Sequence, residues 1–72
     1  LSRKYFQEQA WAQHELNRIY ENRDGKTEST VRRELQTMVS KLQTFTLTQH
    51  WLAELARDFS KGVPPPELKP MA

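Results

Sequence analysis

His14 and His50 are the side chains in this sequence best suited to metal or proton chemistry, and neither is spaced for it. A helical zinc site needs two histidines, or a histidine and a carboxylate, one turn apart on one face. His14 and Glu15 are adjacent and point apart, so we read both histidines as lacking a second ligand at metal spacing. Solvated or singly hydrogen-bonded imidazoles are the expectation. Ser2, Ser29, Ser40 and Ser60 fall in helix or cap contexts rather than on a strained turn with a histidine and an acid to activate them. Gly25 and Gly62 are the only glycines, which leaves no glycine-rich phosphate loop, and no pair of carboxylates marks an acid–base site. With no cysteine, disulfides, thiolate zinc sites and cysteine nucleophiles are excluded together. The expectation is a chain that is not an enzyme and needs no metal and no cofactor.

Recognition chemistry is the remaining possibility. Arg18, Arg23, Lys26, Arg32 and Arg33 gather around the first expected interhelical turn, where they would suit phosphates. Glu21, Asp24, Glu28 and Glu34 are interleaved with them, and intramolecular pairing explains that pattern more simply. The 11 Lys+Arg against 9 Asp+Glu leave a formal charge of only +2, too little to nominate a polyanion. Nucleic-acid association through those five cations is therefore the second reading. The first is protein–protein interaction or oligomerisation, with another protein or a second copy as partner, anchored by Trp11, Trp51, Leu55 and Phe59. Trp11 lies far round the first helix from Leu16 and Ile19, on the side of Lys4, Glu15 and Arg18. It is expected either to close over the third helix or to anchor a partner.

These residues must be positioned by helices. Hydrophobic residues are 36% of the 72 and charged residues 28%, proportions that suit a thin helical bundle better than a sheet covered on both faces. Residues 2–22 read as the first helix, capped by Ser2, with Tyr5, Ala12, Leu16, Ile19 and Tyr20 on one face and Phe6 at its edge. Asp24-Gly25 then supplies turn chemistry. A second helix over about 28–44 carries Val31, Leu35, Met38, Leu42 and Phe45 at the 4-3 spacing of a coiled-coil seam, with Val39 beside it.

Residues 44–51, TFTLTQHW, decide the architecture. If the helix ran through, residues beyond about 50 would pass the end of the first helix and expose Trp51, Leu52, Leu55 and Phe59. The result would be a two-helix antiparallel hairpin with a long second helix, dimerising. We instead expect a break, because Leu47, Trp51, Leu55 and Phe59 form a stripe rotated well away from the Val31–Phe45 seam. Thr46-x-x-Gln49 also fits a capping box. The expected fold is all-α, a small three-helix bundle in up-down-up order, with helices at about 2–22, 28–44 and 47–60. Residues 1–62 form that domain and 63–72 a proline-rich extended tail or linker, largely unpaired, with docking of Val63 and Leu68 against the bundle, or recognition by an aromatic groove, as the alternatives.

No apolar run approaches the ~18 residues of a membrane span. A small domain without cysteine points to an intracellular setting, cytoplasmic or nuclear. A chain that opens on Leu1 and closes in a proline run reads as a piece of a longer protein.

Overall fold

The computed structural model describes residues 2–68. The Ser2 hydroxyl, expected to cap the first helix, and residues 69–72 lie outside the described part. Three helices, α1 (Ser2–Glu21), α2 (Glu28–Val39) and α3 (Gln49–Ser60), form the expected up-down-up bundle, and among the described residues there is no strand.

Each helix buries one stripe. In α1 it is Ala12, Leu16 and Ile19; in α2, Val31, Leu35 and Met38; in α3, Leu52, Leu55, Ala56 and Phe59. Those spacings of three and four residues keep each set on one side of a 3.6-residue turn. Phe59 is fully buried, whereas Phe6, expected at the edge of the apolar face of α1, is 61% exposed near the N-terminal end of that helix. The helix α2 packs against both neighbours, most extensively against α3. Glu8 contacts Thr44 and Trp11 neighbours Lys41, which sets the antiparallel register of α1 against the α2 side.

The helix ends have local causes. Asn22 donates to the Arg18 carbonyl through both its backbone N–H (3.0 Å) and its side chain (2.9 Å), and Gly25 turns the chain at φ +80°. Thr27 caps α2 by accepting from the Thr30 N–H. At the end of α3 the Gly62 N–H donates to the Phe59 carbonyl and the Val63 N–H to that of Asp58, with Gly62 at φ +86°. That paired pattern is a Schellman cap, and only glycine adopts its pivot without strain.

Two boundaries correct the expectation. The helix α2 stops at Val39 rather than near 44, so Leu42 and Phe45 leave the helix and the coiled-coil seam does not continue through them. The Thr37 hydroxyl donates to the Arg33 carbonyl and the Ser40 hydroxyl to that of Thr37, and Lys41 and Leu42 take up tight i−3 bonds. Hydroxyls competing for the last carbonyls weaken a helix where it already frays. At the other boundary α3 is capped by Thr48, in extended backbone, whose hydroxyl accepts from the Trp51 N–H at 3.0 Å. Thr46 makes no such cap, and Gln49 bonds the Gln36 side chain instead of closing a capping box.

The two threonines should therefore respond differently to substitution. Thr48→Ala is expected to cost about 1 kcal/mol in urea denaturation, and Thr46→Ala less than about 0.5 kcal/mol. Equal losses would contradict this cap assignment.

Candidate partner-binding surfaces

On α1, Lys4, Glu8, Trp11, Glu15 and Arg18 recur every three or four residues and form the edge that faces the α2 side. Glu8 is fixed by the loop between α2 and α3. Its Oε1 accepts from the Gln43 N–H (2.7 Å), the Thr44 N–H (2.6 Å) and the Thr44 hydroxyl (2.7 Å). The Thr44 N–H foremost, with the other two donors and the nearby Lys4, holds the Glu8 carboxyl below its ordinary pKa against some desolvation. Glu15 is likewise held low, chiefly by the Arg18 guanidinium at 2.7 Å, with Lys41 adding to the effect.

Trp11 sits between these carboxylates, half-buried against the core. With Lys4, Gln7, Glu8 and Lys41 it lines an open depression of about 350 Å³. This places it on the α1–α2 side, not over the edge of α3. Among the described residues neither Lys4 nor Lys41 is in a close ion pair, and they act only at longer range, on Glu8 and Glu15 respectively.

Trp51 is on the α3–tail side of the bundle. It is half-buried and shares a smaller depression, about 140 Å³, with Leu55, Asp58, Val63, Pro64 and Pro66. Leu55 (5% exposed) and Phe59 (fully buried) belong to the core, Leu55 reaching the surface only at the edge of this depression. Two of the four expected anchors are thus buried in the bundle itself, because the α3 stripe is centred on Leu52 and Ala56 rather than on Trp51.

The five cations are not gathered into one site. Arg18 pairs with Glu15, and Lys26 pairs with Glu34 at 2.8 Å. Arg23 lies over the Tyr20 ring, 3.9 Å from its centroid, and donates to the Tyr20 carbonyl. Arg32 and Arg33 are exposed and share a shallow surface with Ser29, Gln36 and Gln49.

His50 has the carboxylate partner that the sequence reading missed: Glu54, one helical turn on. The i, i+4 spacing was the available signal. Among the described residues no group of three or more metal-ligating side chains assembles, and no helix is long and apolar enough to cross a membrane.

The tail corrects the expectation of an unpaired extension. Tyr20 Oη donates to the Gly62 carbonyl (2.9 Å), Gln13 Nε2 to that of Pro66 (3.0 Å) and Gln9 Nε2 to that of Leu68 (2.6 Å). The Leu68 N–H returns a bond to Gln13 Oε1 (2.9 Å), and the Leu68 side chain is 6% exposed within the core cluster. The chain beyond α3 therefore runs back along α1. Of the two residues weighed for docking, Leu68 is buried and Val63 is 44% exposed.

Comparison with protein-family models, curated proteins and solved structures finds no match, so function is argued from this geometry alone.

Because folding lowers the Glu8 pKa, its stabilising grip is complete above the ordinary carboxylate range and is lost as pH falls through the lowered value. Hydrogen-exchange protection at Gln43 and Thr44, corrected for intrinsic rates, should fall with acidification in that window. Glu8→Gln should make it weaker and flat with pH. A pH-independent wild type would sink the assignment.

Proposed function

We propose that this chain is a non-catalytic protein-interaction module that receives a partner's amphipathic helix on the Trp11 face. The observation that supports this is a half-buried tryptophan held on a rigid helix beside Lys4 and Lys41, above an open depression of about 350 Å³. An indole fixed in this way presents a large contact area at little entropic cost, and tryptophans of this kind concentrate binding energy. The two ammonium groups select a partner helix with acidic residues flanking its apolar ridge. Arg18 neutralises Glu15, and Glu8, bonded by the neutral Thr44 and Gln43 donors, keeps its charge and offsets one of the two lysines, which leaves the face a surplus of positive charge. A cytoplasmic or nuclear setting accompanies this reading.

Nucleic-acid association through Arg18, Arg23, Lys26, Arg32 and Arg33 has less support, because three of the five are already committed to intramolecular partners.

The test is affinity measurement against the partner, with variants that keep the fold by circular dichroism. Trp11→Ala should weaken binding by roughly 30-fold, about 2 kcal/mol, and Lys4→Glu with Lys41→Glu should slow association most at low salt. Arg32→Glu with Arg33→Glu should have little effect. Binding indifferent to Trp11, or steeply salt-dependent binding to duplex or single-stranded nucleic acid, would overturn the reading.

A further inference from the structure

The segment beyond α3 occupies a groove with the character of a peptide-binding site. One wall is α1, where Gln9, Gln13 and Tyr20 hold it by three carbonyls and one N–H. The other is α3, where Trp51, Leu55 and Asp58 line the depression shared with Val63, Pro64 and Pro66. Here α1 and α3 meet through the Tyr20 and Phe59 rings, whose centroids are 5.2 Å apart. The strap's leucine completes the apolar interior there.

Three features make this strap separable from the domain that holds it. Its hydrogen bonds all use its own backbone atoms, so any correctly placed copy of the segment would make them. Its anchoring side chain is one residue, Leu68, at the far end of a stiff proline run. Its direction is set at a single pivot, Gly62, where the Schellman bonds to Phe59 and Asp58 fold the chain back.

We propose that the α1–α3 groove also accepts the Val63–Leu68 segment of a second copy, so that two chains exchange straps reciprocally about Gly62. The occupant is set by complementarity already present: every copy carries both the groove and the segment that fits it. Exchange replaces the Pro66 and Leu68 contacts by identical intermolecular ones and changes only the bonds at the Gly62 pivot, which is why swapped dimers cost little beyond association entropy and those few bonds. A tail joined this closely to its own groove has an effective concentration on the order of millimolar, so exchange is a high-concentration or locally clustered state. This interface is separate from the Trp11 face, and neither proposal depends on the other.

A double variant, Gln13→Cys with Pro66→Cys, places a thiol on each side of the contact in a chain that otherwise has no cysteine. Oxidised at concentrations from about 10 µM to 1 mM, a range that rises to that effective concentration, it should give a covalent dimer whose share rises with concentration. Wild-type sedimentation should show a reversible dimer over the same range, abolished by Leu68→Asp. If Leu68→Asp proves unfolded by circular dichroism, the disulfide partition decides alone. Purely intrachain disulfide at every concentration would overturn the proposal, as would dimerisation that Trp11→Ala removes and Leu68→Asp leaves intact.

Discussion

The Glu8 carboxylate takes three hydrogen bonds from Gln43 and Thr44, and this grip holds the chain away from helical geometry between α2 and α3. Both backbone donors would otherwise be free to continue α2. Fixing them to α1 costs the ordering of one side chain and provides charge-assisted bonds, stronger than the neutral helical ones they replace. The rest of the bundle depends on that break. Phe45 is released to stack near Tyr5, with centroids 5.2 Å apart, and Thr48 is free to take the extended backbone that a cap requires. The helix α3 can then return along α2 instead of extending it.

The helical core was legible in the sequence where burial tracks local periodicity. Leu16 and Ile19, Val31, Leu35 and Met38, and Leu52, Leu55 and Phe59 were all recognisable from spacing alone, and all are buried. The break at TFTLTQHW was legible too, because a change of buried face cannot occur within one straight helix. Its details were not. Leu42 and Phe45 keep the 4-3 spacing of α2 although they lie outside it, since the contact that keeps the chain from resuming the helix comes from Glu8, 35 residues away in the chain. Thr46 and Thr48 look equally good as caps, and the choice depends on where the Glu8-bound loop delivers the chain.

The same division applies to the candidate sites. A hydrophobic stripe read from sequence does not distinguish a face turned inward from one turned toward a partner, and Leu55 and Phe59 were assigned to both. The structure buries them and leaves the two tryptophans as edge residues on opposite sides of the bundle. Helix geometry accounts for their positions. Trp11 belongs to the stripe of Lys4, Glu8 and Glu15, which is polar everywhere else, while Trp51 is one step round from the fully buried Leu52.

The thinness of the core links stability to association. Chains below roughly 70–80 residues bury too little apolar surface for a single core to stabilise them generously. Here a leucine from outside the helices completes that core, held at the end of a proline run by two glutamines. Prolines lower the entropy lost when such a segment docks, because their φ is already fixed. That saving is the same whether the segment docks on its own chain or on another. A domain that relies on an end segment to close its interior therefore carries, in one structural feature, both a stabilising contact and the means to share it.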